Sequence, residues 1–196
     1  MGFLELGREA ARALPATGRR SGRRAAKELR RELEQVERTR ARLSRQDQER
    51  LPQAVEWLLD NAYLAQREGR ESVGDLRRGK RLRQVTDELY LQALCRALVQ
   101  ECSVIEVEPL AEFLEGVQSE RPMTEEELSL FIPAMKGELC RRLARLCQSL
   151  DRDPEGEGLA GEMEAVFTSL RTLSAANLGP GGCPSGRPRG SIPPDG

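Results

Sequence analysis

Apolar residues along this chain recur at helical spacing, and nowhere is a strict two-residue alternation sustained. Residues 1–16 read as a weak helix ending at Pro15, followed by the polar break "ATGRRSG". From Ser21 to about Gln46 the larger apolar positions are Leu29, Leu33, Val36 and Leu43, at steps of four, three and seven. That narrow stripe predicts a helix touching a partner along one edge. In "LPQAVEWLLDNAYLAQREG", Leu51, Val55, Leu58, Leu59 and Ala62 share one helix face, with Pro52 suited to the first turn and Gly69 to the stop. A further helix is expected from about Lys80 to Glu101, burying Leu91, Leu94, Cys95, Leu98 and Cys102. A shorter one follows, with Leu110, Phe113, Leu114 and Val117 on its apolar side.

The sharpest start signal is "MTEEE". Thr124 and Glu127 match the capping-box pattern, and the three glutamates suit the positive end of a helix dipole. Leu128, Phe131, Ile132, Met135, Leu139, Leu143, Leu146 and Leu150 continue one face, and Pro133 inside the run should bend the helix. Leu159, Met163, Val166, Phe167, Leu170 and Leu173 predict a last amphipathic helix.

These elements define an all-α bundle of five or six helices. The expected divisions are a loose basic segment over 1–20, a helical domain over 21–178 and a Gly/Pro-rich tail over 179–196. Glycine and proline make up more than half of that tail, so disorder is expected there.

Composition fits the bundle. The 196 residues are 38% hydrophobic, 32% charged and only 4% aromatic, so the core must be built mainly from Leu, Val and Ala. The net charge of −1 conceals a basic start, with 14 Lys and Arg against 8 Asp and Glu in residues 1–50. Arg19, Arg20, Arg23 and Arg24 could meet nucleic acid or an anionic surface. Interleaved aromatics are absent, however, and most arginines alternate with glutamates as on a solvated helix. No window reaches the apolar length of a membrane span, and Glu5, Arg8 and Glu9 break any secretory signal, so a cytoplasmic location is expected.

Histidine is absent, which removes His-dependent triads and His-based metal sites. The cysteines at 95, 102, 140, 147 and 183 lack the close spacing of zinc ligands. Each seven-residue pair lies roughly 10 Å apart on its helix, too far for a bridge within the pair. They read as small apolar core residues. Asp60 with Glu56 is an i, i+4 pair on one helix, the wrong arrangement to flank a scissile bond. Asp60 and Asn61 are expected instead to tie the helix edge to a neighbour. No catalytic residue, cofactor or metal is implied.

Three segments in order resemble the N-terminal region of cyclic β-1,2-glucan synthase-like proteins, large glycosyltransferase and glycoside phosphorylase proteins. "AVEWLLDNAYLAQRE" is similar to that family's Glu-Trp-Leu-Leu-Asp-Asn helix, through Trp57, Leu58, Leu59, Asp60 and Asn61. "RPMTEEELSLFIPAMKGELCRRLARL" resembles its capped helix, with Thr124, Glu127 and Leu128 in the motif. "TSLRTLSAANL" resembles its Ser-Leu-Arg-x-Leu-Ser segment, through Leu170, Arg171 and Leu173. The resemblance implies a non-catalytic helical segment that positions catalytic modules further along, at the cytoplasmic face of the membrane in a full-length parent. Family-like text stops after Leu178, which predicts a truncated or frameshifted fragment. The alternative is a free-standing helical adaptor whose Leu29–Leu43 stripe pairs with a partner helix.

Overall fold

A computed structural model describes residues 2–45 and 50–176. The tail expected to be disordered, with Cys183, lies outside the described residues. The element order is α1 (Phe3–Ala13), β1 (Gly18–Arg20), α2 (Arg23–Leu43), α3 (Gln53–Arg78), β2 (Leu82–Val85), β3 (Glu88–Leu89), α4 (Tyr90–Glu101), α5 (Val107–Glu120), α6 (Glu125–Ser129), α7 (Phe131–Arg152) and α8 (Leu159–Ala175). The class is all-α, with more helices than the hydrophobic pattern resolves.

Helix α7 packs against α2, α3, α4 and α8, and α3 also meets α2 and α8. The single core is built on Leu29, Leu58, Leu94, Phe131, Met135, Leu143 and Phe167, each essentially without solvent contact. The stripe Leu29, Leu33, Val36 and Leu43 is buried as well, in the helix that packs on α3 and α7. Its partner is therefore within the same chain. Gly69 does not end α3, which continues to Arg78; its missing side chain makes room for Leu33, whose Cδ2 would lie 2.5 Å from an added Cβ.

Two expected elements differ. In place of the first turns of a helix from Lys80, residues 82–89 form a hairpin, β2 pairing β3 with Val85 opposite Glu88. Its two-residue turn, Thr86-Asp87, places Thr86 at φ 50, a left-handed conformation rare for a β-branched residue. The run from Leu128 to Leu150 is broken at Leu130, which caps both the end of α6 and the start of α7. Pro133 consequently falls in the first turn of α7, where its missing N–H costs no helix bond.

Residues 2–20, expected to be loose, carry helix α1 and strand β1. Strand β1 pairs antiparallel with β2, Arg19 opposite Arg83, and α1 lies along α5. Gly7 and Gly116 allow that close approach: an added Cβ would sit 2.1 Å from the Phe113 carbonyl oxygen at Gly7, and 2.0 Å from that of Leu4 at Gly116. Arg12 pairs with Glu120 at 2.5 Å, and Arg121 donates to the Leu14 carbonyl at 3.2 Å. In an unconstrained helix, Gly→Ala adds roughly 0.5–1 kcal/mol of stability. Here Gly7→Ala and Gly116→Ala are each expected to lose about 1–3 kcal/mol through overpacking. Urea unfolding measures the sign, and a gain in stability would show that α1 does not sit tightly on α5.

Candidate functional site

Most of the residues singled out in the three sequence segments are packing or tying groups. In α3, Leu58 is fully buried while Trp57 and Leu59 pack half-buried against the core. Asp60 is exposed, so the expected tie through its carboxylate is not made. Asn61 makes it alone: its Nδ2 donates to the Trp57 carbonyl at 2.9 Å, and its Oδ1 accepts from Arg171 of α8. The first and third segments thus meet through Asn61 with Arg171, and through Glu68 and Arg67 with Ser174. Leu170 and Leu173 are buried beside Arg171 on α8. In the second segment Thr124 caps α6 as expected, its Oγ1 accepting from Glu127 N–H at 3.2 Å and Glu127 Oε2 accepting from Thr124 N–H at 3.0 Å. Leu128, expected on the apolar face, is instead 41% exposed, because the break at Leu130 turns α6 away from the stripe of α7.

Among the described residues three carboxylates are buried, none of them Asp60. Glu127, with no solvent contact, accepts from the Arg83 backbone N–H at 2.8 Å and from Arg83 Nε at 2.9 and 3.0 Å. Arg83 also lies over the Tyr90 ring, 4.4 Å from its centroid. Glu68 of α3 accepts from Lys136 of α7 at 2.5 Å, Ser174 of α8 at 2.6 Å and its neighbour Arg67 at 2.9 Å. Glu138 of α7 is flanked by Arg141 at 3.3 Å, Arg145 at 3.6 Å and, from α4, Arg96 at 3.8 Å. Each therefore joins two or three elements. Burial alone would raise Glu68 and Glu127, but hydrogen bonds from Lys136, Ser174 and Arg67, and from Arg83 and Thr124, prevail and hold both below the usual carboxylate value. These groups stay charged at neutral pH and act as structural ties, not proton carriers.

The described cysteines are equally committed to the core. Cys95, Cys102, Cys140 and Cys147 are buried and unbridged. Burial pushes Cys140 and Cys147 up to about 12, and Cys95 well above the ordinary thiol value. The nucleophilic thiolate is thereby suppressed.

One surface feature concentrates charge. Gly22 N–H donates to the Gly79 carbonyl at 2.9 Å, and the lack of a side chain at Gly22 lets the Leu76 carbonyl approach to 1.9 Å from where a Cβ would be. That lock sets the first turn of α2 beside the last turn of α3. Between them lies an open depression of about 440 Å³ lined by Ser21, Arg23, Arg77, Arg78, Gly79 and Lys80. Its acidic neighbours are already engaged: Asp75 pairs with Arg78 at 2.9 Å, Arg24 with Glu28 at 2.8 Å, and Glu126 accepts from Lys80 N–H at 2.8 Å. The break "GRRSGRR" hinted at this end of the molecule, while the α3 contribution was hidden by the expected stop at Gly69.

Comparison with protein-family models, curated proteins and solved structures finds no match. Among the described residues no helix is long and apolar enough to cross a membrane, and no group of three or more His, Cys, Asp or Glu residues is placed to hold a metal ion.

The adjacent polar pair in α3 separates tying from solvation. Asn61→Ala is expected to cost about 1–3 kcal/mol, since it strips the bond to Arg171 from a buried site. Asp60→Ala should stay within about 0.5 kcal/mol of the parent. Equal losses in thermal unfolding would contradict the assignment of the tie to Asn61.

Proposed function

We propose that this chain is a non-catalytic helical segment of the cyclic-β-1,2-glucan-synthase-like kind, positioning a glycosyltransferase or phosphorylase module. The observation that supports this reading is the convergence of the three family-like segments. Apart from the exposed Asp60, their polar motif residues are spent on one another and on neighbouring groups, Asn61 on Arg171 and Glu127 on Thr124 and Arg83. A motif whose residues are consumed in packing marks a structural segment, not a chemical site. The buried carboxylates serve the same end: Glu127 and Glu68 pair with Arg83 and Lys136 on other elements, and Glu138 pairs with Arg141 of its own helix.

The second reading is an adaptor acting alone. Its proposed stripe, Leu29 to Leu43, is covered by α3 and α7, so an adaptor would have to use another face. Tyr63, 64% exposed on α3, is the largest apolar side chain on offer.

Reading the gene's downstream DNA and co-expressing what it encodes separates the two. The expected result is an adjacent frame for a large glycosyltransferase, whose product copurifies with this chain at fixed stoichiometry. A defined complex with an unrelated protein, in a genome lacking such a frame, would favour the adaptor.

A further inference from the structure

We propose that the depression between α2 and α3 binds the phosphate group of a small phosphorylated ligand, held by Arg23, Arg77, Arg78 and Lys80. Four cationic residues line one concavity, and they come from the start of α2, the end of α3 and the segment after α3, held together by the Gly22–Gly79 hydrogen bond. Among the described residues, Arg23, Arg77 and Lys80 make no ion pair, because the nearby carboxylates of Asp75, Glu28 and Glu126 are directed to Arg78, Arg24 and backbone N–H groups. Like charges gathered this way repel one another and destabilise the empty site.

Their placement deepens the imbalance. Arg23 and Arg24 occupy the first turn of α2, the positive end of its dipole, with no acidic residue in that turn. Helices ordinarily place acids there and bases at the far end. A multiply charged anion in the depression would relieve the repulsion and the unfavourable placement of Arg23 and Arg24, while Arg77 and Arg78 sit in the last turn of α3, where the dipole favours cations. Guanidinium forks favour phosphate over a spherical anion because they can donate two parallel N–H bonds to its oxygens. This inference is independent of membership in a larger glycosyltransferase.

The test uses the full chain titrated with inorganic pyrophosphate by calorimetry, with sodium chloride adjusted to hold ionic strength constant. Saturable binding is expected, weakened by about tenfold or more in the double variant R23Q/R77Q, which removes two forked donors. The double variant R31Q/R38Q removes the same charge from exposed α2 positions outside the depression, and should bind within about twofold of the parent if only screened, long-range attraction is lost. Vesicles of phosphatidylcholine with and without phosphatidic acid distinguish the source of the phosphate. Saturation by free pyrophosphate assigns a soluble ligand; binding only to phosphatidic acid vesicles, lost in R23Q/R77Q, assigns a lipid headgroup. No binding to either probe, or equal loss in the two double variants, overturns the site. If R23Q/R77Q fails to fold, amide shifts in the parent decide: the largest must fall within residues 21–25 and 77–80, and largest shifts elsewhere overturn the proposal.

Discussion

The Glu127 carboxylate is the constraint on which the arrangement of α6, the hairpin and α4 depends. Strand β3 pairs with β2 only as far as Leu89 opposite Gln84, because the chain turns into α4 at Tyr90. One position further along, the Arg83 N–H would face no strand. Glu127 takes the strand's place, accepting from that N–H and from the guanidinium while its second oxygen closes the α6 cap. An unpaired buried donor costs about 1–3 kcal/mol, and breaking a buried ion pair by removing one partner about 3–5 kcal/mol. One side chain thus joins a helix cap, a sheet edge and, through Arg83, the face of Tyr90.

The same device recurs at Glu68 and Glu138, and it sorts the charges of the molecule. In a chain of net charge −1, three carboxylates are drawn inside and paired with Arg or Lys, Glu127 and Glu68 across element boundaries and Glu138 within α7. Several of the cations without a carboxylate partner among the described residues, Arg23, Arg77 and Lys80, lie where α2 begins and α3 ends. With few aromatics to fill a thick core, charged ties between helices fix the relative positions that larger apolar side chains would otherwise set. A near-neutral protein can therefore present one strongly basic end.

Much of the helical plan was legible because burial on one face leaves a periodic record, as in Leu58, Met135, Leu139, Leu143 and Phe167. The Thr124–Glu127 cap was legible because its pattern is local. What failed was non-local or atypical. The hairpin turn uses Thr86 at positive φ where Gly or Asn would have signalled it, and its strands are too short to show alternation. The packed α1 was hidden because its contact with α5 rests on Gly7 and Gly116, residues that read as weakness in a helix. Within the family-like segments, spacing identified Asp60 and Asn61 as a polar edge but could not rank them. A rotation of about 100°, one residue along the helix, decides that Asn61 is buried and Asp60 is not. Glu68 and Glu138 left no mark at all, since an interior carboxylate is indistinguishable in sequence from the solvated glutamates around it.

Native-state hydrogen exchange at the Arg83 amide tests the central role of Glu127 most directly. If the carboxylate pins the hairpin to the helices, that amide exchanges as slowly as interior α7 amides such as that of Met135, and faster in Glu127→Gln. Exchange in the parent protein as rapid as at the exposed turn residue Asp87 would contradict it.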